Sequence, residues 1–267
     1  CVSVQNTEIF CSWFWILDLK KKRGFSSKKT AYFETHDTRS GDVASELLKN
    51  MACQFLASDV YSGYGKAVKD ANILRLQLNL PLIQNIYCNA HVRRRFKEAH
   101  ERFPEEAQFF IDKYKKIYRL NTDSVDKPPE EILALRKEMA PYFEEMKNKA
   151  IELIPMYSSK STIGKAMSYL LGNFKEMTAF LENPIIPIDN NPQERLLRNP
   201  VIGRKTWYGT HSKRGAETMA ILFSIIESCK LNKVNPREYL KTLIQDLHQG
   251  KKPYTPATFK AHWSQCG

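Results

Sequence analysis

The sequence predicts an α/β fold: a mixed sheet flanked by helices, with a long helical segment inserted into it. Two patterns predict it. Over the N-terminal third, short aromatic and β-branched runs alternate with stretches whose apolar residues recur at helical spacing; from Pro104 to about Asn183 the helical spacing stands alone. A chain of 267 residues, 42% of them hydrophobic, has the apolar surface for the substantial core such a fold needs.

Taken in order, "SWFWILDL" (12–19) and "TAYFET" (30–35) read as neighbouring antiparallel strands. The stretch between them, "KKKRGFSSKK", is a basic turn with Gly24, whose Lys20–Arg23, Lys28 and Lys29 make a solvated hairpin tip. "SGDVASELLKNM" opens on a Ser40 cap and sets Val43, Leu47 and Leu48 on one helical face; "QFLASD" is a buried strand ending at Asp59. A helix from about Tyr64, a strand "IQNIYCNA" (83–90) and a basic helix "HVRRRFKEAHERF" complete the first part.

Three helical stripes follow. They are Phe109, Phe110, Tyr114 and Ile117; Ile132, Leu135, Met139, Phe143 and Met146; and Ile163, Met167, Leu170, Phe174 and Met177. Pro141 is expected to kink or restart the middle helix. Residues 123–152 hold eight acids against five bases, so this stretch does not share the chain's basic bias. Beyond it lie the motif "IPIDNNPQERLLRN", a short run "PVIGRKTWYG", a basic loop "THSKRG", the apolar helix "AETMAILFSIIESCKL" and a helix from "NPREYLKTLIQDL". The last twenty residues, with Pro253 and Pro256, read as a loose tail. The resulting division is a core in two parts, 1–103 and 184–232, a helical insertion 104–183, and a C-terminal helix and tail 233–267.

The formal charge of +12 points to a polyanionic partner, since each Lys or Arg that meets a phosphate releases condensed counterions. Nucleic acid leads, and a membrane surface comes second. No apolar run reaches the roughly 18 residues needed to span a bilayer, so a soluble intracellular protein is expected. Six scattered Cys do not make a disulfide framework. Cys88 and His91 have the C-x-x-H spacing of zinc ligands, but no second pair near them in sequence completes four.

Two strands, a helix, a strand ending in Asp, a helix and another strand make most of a ribonuclease-H-like sheet, in which acids at strand ends and on a late helix converge on divalent metals. Asp59 stands at such a strand end, although an Asp before "YSGYG" is also a turn former. Glu194 has a plain reading as well. With Asn191 as N-cap and Pro192 first in the helix, Glu194 falls at the capping-box position, and Asn235, Pro236 and Glu238 repeat that spacing. What favours chemistry is its company. From Arg195 to Arg214 there are six bases, Arg195, Arg198, Arg204, Lys205, Lys213 and Arg214, with no acid until Glu217. Capping requires none of them. Trp207 and Tyr208 interleave with these bases, and His211 in the basic loop could touch a phosphate.

"SDVYSGYGKAV", "CNAHVRRRFKEAH" and "IPIDNNPQERLLRNPVIGRKTWYGTHSKRGAETMAILFSIIESCKLNKVNPREYL" closely resemble, in order and wording, the catalytic region of bacterial insertion-sequence transposases of the IS66 (TnpC) type. The resemblance implies a DDE transposase with a ribonuclease-H-like core, cutting and joining DNA with two magnesium ions, for which manganese can substitute. It assigns Asp59 to the second acid and Glu194 to the third, both as metal-binding catalytic residues. The family's first Asp would fall shortly before Cys1; Asp18 and Asp37 are poor substitutes, because that acid must project from the central strand. A three-carboxylate site short of one acid holds magnesium badly, so this chain alone is expected to cut poorly.

The implied partner is DNA, as element ends and as target, with self-association on DNA, no membrane and no small-molecule substrate. The implied location is the bacterial cytoplasm, at the nucleoid. DNA contacts are expected from Arg93, Arg94, Arg95, Arg195, Arg198, Arg204, Lys205, His211, Lys213 and Arg214; Arg93–Arg95 read equally well as a solvated helix face. Two other readings stay open: a non-catalytic DNA-binding remnant of a decayed transposase, and a nuclease of the same fold that cuts without joining.

Overall fold

The computed structural model describes residues 2–4, 7–14, 30–36, 41–49, 53–60, 62–210 and 212–263. Along them run β1 Val2–Val4, β2 Thr7–Phe14, β3 Thr30–His36, α1 Gly41–Lys49, β4 Phe55–Ser58, α2 Ser62–Gln77, β5 Gln84–Tyr87 and α3 Asn89–Ala99. Then come α4 Pro104–Asp123, α5 Pro129–Leu153, α6 Thr162–Gly172, α7 Phe174–Thr178, α8 Asn191–Trp207, α9 Lys213–Leu231, α10 Pro236–His248 and α11 Pro256–Trp263. The architecture is mixed α/β and mostly helical. β1, β2 and β3 form an antiparallel sheet in that order, and β4 and β5 a parallel pair. Among the described residues no helix is long and apolar enough to cross a membrane. The chain divides into two compact units, Gln54–Asn191 and the two segments Cys1–Cys53 with Pro192–Gly267.

The continuous unit, Gln54–Asn191, is built on one apolar core. β4 and β5 pair from Phe55 with Gln84 to Ser58 with Tyr87, and α2 makes the crossover that a parallel pair requires. Asn72 of α2 brackets Ile83, donating to its carbonyl (2.9 Å) and accepting its N–H (2.8 Å), which sets the chain on course into β5. Ile86 of β5 and Val92, Phe96 and Ala99 of α3 then share a core with the helical segment. Its stripes are Ala107, Phe110, Tyr114 and Ile117 on α4, Met139, Phe143, Met146 and Ala150 on α5, and Ile163, Ala166, Met167 and Leu170 on α6. The spacing is three or four residues on α4 and α5, and on α6 Ala166 and Met167 stand side by side between Ile163 and Leu170, so each helix buries a single face. Phe96 and Phe110 stack at 4.1 Å.

This unit buries two arginines, Arg75 of α2 and Arg136 of α5. Arg136 of α5 is 4% exposed, and its guanidinium donates to the carbonyls of Phe180, Asn183 and Ile186 (2.9 Å to the last). Burial draws its pKa down to about 10. The Phe180 and Asn183 carbonyls also accept the N–H groups of Asn183 (3.4 Å) and Ile186 (3.1 Å), and the fork of guanidinium donors adds a second bond to each and the partner that the Ile186 carbonyl needs.

The other unit, Cys1–Cys53 with Pro192–Gly267, is built around β3. Ala31 and Phe33 point inward from the strand against Ala220 of α9, with Leu197, Phe223 and Leu231 packed around them. The outer edge of β3 meets α9 through two serines. Ala31 donates its N–H to Ser228 Oγ (2.9 Å) and takes that hydroxyl's proton on its carbonyl (3.1 Å). Phe33 donates to Ser224 Oγ (2.8 Å). Two residues along a strand cover about 6.7 Å, and four along a helix cover about 6 Å. Serines four apart therefore match alternate strand residues and satisfy an edge that would otherwise expose its polar groups. On α8, Gln193, Leu197, Pro200 and Gly203 make the inward stripe, and Asn199 donates to the buried Glu227 of α9 (2.9 Å).

Several elements differ from the sequence reading. The strand expected over 12–19 begins at Thr7, and 15–29, including Asp18 and the basic turn, lie outside the described residues, as do Asp37 and Ser40. β5 stops at Tyr87, because Asn89 already opens α3. α5 runs unbroken through Pro141, and α8 through Pro200 and the whole of "PVIGRKTW". The tail is not loose: α11 sets Phe259 edge-on against Tyr239 of α10 at 5.2 Å, and Tyr239 donates its hydroxyl proton to the Tyr254 carbonyl (2.6 Å).

Candidate metal and nucleic-acid site

Asp59 follows the last residue of β4 and is exposed. It thus stands beyond the carboxyl end of a parallel strand, where open α/β sheets leave room for ligands. Its surroundings come from two helices. Arg95 of α3 lays its guanidinium over the Tyr169 ring of α6 at 4.2 Å. Burial raises the Tyr169 pKa, with Asp59 adding to the rise and Arg95 opposing it, so the phenol stays neutral.

The arginine triplet of α3 divides by face. Val92, Phe96 and Ala99 are buried, while Arg94 and Arg95 are exposed and Arg93 is half-buried. Arg93 rests over the Tyr118 ring of α4 at 5.2 Å. Two of the three cations are thus seated on tyrosines, which holds a long side chain in place at a smaller entropic cost when it meets a phosphate.

The segment leading to Glu194 is tied to the end of β5 by a buried polar hub. Asn89 donates its backbone N–H (3.2 Å) and its side-chain amide (3.1 Å) to the Ile188 carbonyl, donates also to Met177 (3.0 Å), and accepts from the Tyr114 hydroxyl (3.1 Å). One residue on, Asp189 accepts from the Tyr118 hydroxyl (2.8 Å), the Asn191 N–H (3.1 Å) and the Asn191 amide (2.7 Å). Burial, with the Asp189 charge second, pushes the Tyr118 pKa far up, so it remains the donor. The helix expected to be capped by Asn191 therefore begins at Asn191, and the carboxylate that takes its N–H is Asp189. Glu194 lies in the first turn of α8, half-buried.

Asp59 and the α3 arginines belong to the unit Gln54–Asn191; Glu194 and the later bases belong to the other. Arg195, Arg198 and Lys205 are exposed along α8, and Arg204 lies on its backbone path between them and Lys205. His211 lies outside the described residues. Lys213 and Arg214 are exposed in the first turn of α9, where Ser212 accepts the Gly215 N–H (3.0 Å). Any Cβ on Gly215 would come within 2.7 Å of the Thr210 carbonyl, so the turn requires glycine. An open depression of about 610 Å³ lies here, lined by Thr210, Ser212, Arg214 and Thr218. A helix start with an arginine beside it is chemically suited to a phosphate.

Asp59 and Glu194 are hard oxygen donors of the type magnesium and manganese take. Among the described residues no group of three or more His, Cys, Asp or Glu is placed to hold a metal. Cys88 is buried and accepts the Asn190 N–H on its sulfur (3.4 Å); burial raises its thiol pKa. The sequence reading missed Asn89, Asp189, Tyr118 and Tyr169. The Asp-x-Asn spacing signals the turn at Asp189. Tyr118 follows Tyr114 by one helical turn, and nothing local marks Tyr169.

Comparison with known proteins follows the same residues. The model of the Transposase IS66 family matches residues 4–218, and that of the IS66 C-terminal element matches 224–254. Three curated relatives come from Sinorhizobium fredii (strain NBRC 101917 / NGR234). Uncharacterized protein y4hP is 25% identical over 87% of this chain and 43% of its own length. Uncharacterized protein y4jD is 24% identical over 92% and 47%, and Uncharacterized protein y4qI is 28% identical over 90% and 44%. The chain thus spans less than half the length of these relatives. No solved structure matches it.

Proposed function

Because the chain belongs to the IS66 transposase family, we propose that it is the catalytic region of a DDE transposase, cleaving phosphodiester bonds in DNA and joining the freed strand to a target. The observation that carries the reading is the family match over 4–218, which spans both Asp59 and Glu194. Asp59 serves as the second acid and Glu194 as the third. The fold that goes with this role is ribonuclease-H-like, with the helices of 104–183 inserted between the two acids.

Asp59 and Glu194 would hold the divalent ions, which when bound supply Lewis acidity at the attacking and leaving oxygens. The remaining work falls to the chain's cations. Arg95 and Arg93, seated on tyrosines, and Arg195, Arg198, Arg204, Lys205, His211, Lys213 and Arg214 hold the DNA backbone. If about five of them contact phosphates, log affinity falls with log salt at a slope near −4 to −5. The partners are element ends and target DNA, with the protein self-associating on them at the bacterial nucleoid.

The test uses the complete gene product and a labelled duplex carrying the element's own terminal sequence, with magnesium or manganese. Asp59→Asn and Glu194→Gln are each expected to abolish cleavage and joining while leaving duplex binding, and Glu238→Gln to leave all three. Equal, small effects at 194 and 238 would reduce Glu194 to a helix-start residue. Cleavage without joining would identify a nuclease, and binding without cleavage by the unsubstituted protein would identify a remnant.

A further inference from the structure

The end of α2 and the segment after it turn apolar side chains outward. Ile73, Leu76, Leu78, Leu80 and Leu82 are each between 45% and 63% exposed, whereas elsewhere among the described residues exposed large apolar side chains come singly or in twos. Grouped exposure of this kind marks an interaction site. The display is also rigid. Asn79 takes the left-handed backbone (φ 52°), and the Asn79 and Leu80 N–H groups donate back to the Leu76 (3.3 Å) and Arg75 (2.9 Å) carbonyls, the paired bonds of a Schellman helix end. Arg75 is buried and donates its Nε–H to the Pro81 carbonyl (2.7 Å), and Asn72 brackets Ile83. The backbone from Asn79 to Ile83 is thus bonded on both sides of Leu82, so the leucines are held out and not left loose. A surface fixed before contact loses little entropy on binding.

Charge selects the occupant. Between Asp70 and Arg93 the sole Lys, Arg, Asp or Glu is Arg75, and it is buried. The patch therefore offers nothing to a phosphate, on a chain whose net charge is +12. Two such chains repel wherever their basic surfaces face each other. At this patch two copies meet without opposing like charges, and an apolar surface can pair with its own twin about a two-fold axis. The five side chains expose on the order of 500 Å², against the ~800 Å² per partner of a standard interface. They supply its apolar centre, with the exposed Gln77, Asn79 and Gln84 as polar rim. The place suits a partner too. β4 and β5 are parallel, Asp59 follows the end of β4, and Leu78–Leu82 precede the start of β5, so patch and acid lie at opposite ends of the pair. About 24 Å of α2 runs between them. We infer that Ile73, Leu76, Leu78, Leu80 and Leu82 form a self-association surface, on which a second copy of this chain seats the same five side chains. This names the surface for the self-association proposed above and rests on that part of the reading, not on the metal chemistry.

The test is sedimentation equilibrium of the complete gene product, with and without a duplex carrying the element's terminal sequence. Leu76→Glu with Leu80→Glu is expected to weaken association about 100-fold or more, and Leu76→Lys with Leu80→Lys to do the same. Mixed in equal amounts, the Glu copy and the Lys copy are expected to associate with each other, because a two-fold contact sets every Glu against a Lys. That recovery also shows that both variants are folded. Ile244→Glu with Leu247→Glu, an exposed pair on α10, is expected to leave the mass unchanged. Three results overturn the surface: undiminished association of the Glu variant, equal dissociation by the α10 pair, or no association in the mixture while circular dichroism shows both copies folded. An unsubstituted protein that is monomeric with and without the duplex overturns the self-association reading itself, and this inference with it.

Discussion

Asp59 leaves β4 inside a unit whose apolar core runs without interruption from β5 through α3, α4, α5 and α6, and in which Asn89 and Arg136 make several buried hydrogen bonds each. Glu194 starts a helix in a unit of another kind, with smaller clusters around Phe33 and Tyr239 and a helix fastened to a strand edge by two serines. The first unit concentrates its specificity in single buried groups. The second spreads it over several bonds of ordinary strength. Two acids proposed for one reaction thus stand on different foundations, and damage to one should look unlike damage to the other.

The comparison breaks most visibly at Arg136. Replacement by Met keeps most of the volume, removes the cost of burying a charge, takes the donor from the Ile186 carbonyl, and leaves the Phe180 and Asn183 carbonyls with only their backbone donors. A hydrogen bond from a charged group is worth about 1.5–3 kcal/mol, so after the recovered desolvation the expected loss is about 3–5 kcal/mol. Urea unfolding followed by amide exchange should show protection falling across Gln54–Asn191. Little change would mean that the stretch 180–186 holds its shape without the guanidinium.

The serines of α9 come next. Ser224→Ala with Ser228→Ala strips the partners from the Ala31 and Phe33 amides. At about 1 to 1.5 kcal/mol for each bond, the pair should cost about 2–3 kcal/mol. Exchange should accelerate at Ala31 and Phe33 while the amides of α4 to α6 stay protected. Uniform loss across both units would refute the division of labour drawn above.

The first unit was the more legible of the two from sequence, and the reason is physical. Helices buried on one face must repeat their apolar residues, so Phe110, Tyr114, Ile117, Met139, Phe143, Met146, Ile163, Met167 and Leu170 were all readable as core and all are buried. The strand before Asp59 and the Asn235 cap were readable for equally local reasons. What was hidden depends on tertiary contact. Pro141 and Pro200 lie inside helices that packing sustains despite a lost donor. "PVIG" has the residues of a strand, yet Gln193, Leu197, Pro200 and Gly203 fall on one side only when wound as a helix. Tyr169 carries the guanidinium of Arg95 from another helix, and no local pattern encodes that pairing. Asp59 and Glu194 were singled out through family resemblance, whereas the contacts of Asn89, Tyr118 and Tyr169 were visible only in the fold.

The smallest expected effect sharpens the comparison at the surface of the first unit. Tyr157, just past α5, donates its hydroxyl proton to Glu106 in the first turn of α4, and that bond holds the Glu106 carboxyl below its ordinary pKa. A carboxyl whose pKa is lower folded than unfolded contributes stability above its unfolded pKa and loses it as pH falls through the folded one. Tyr157→Phe keeps the edge contact with the Phe103 ring at 5.5 Å and removes only the donor. In a carbon-detected titration, Glu106 should then move up toward the usual carboxylate range, and the acid limb of the stability curve should flatten slightly. At neutral pH the variant should unfold almost as the parent does, because both groups reach solvent and water replaces the lost bond. A large loss at neutral pH would show that this unit also leans on its surface, and the contrast with the serine-fastened unit would then narrow.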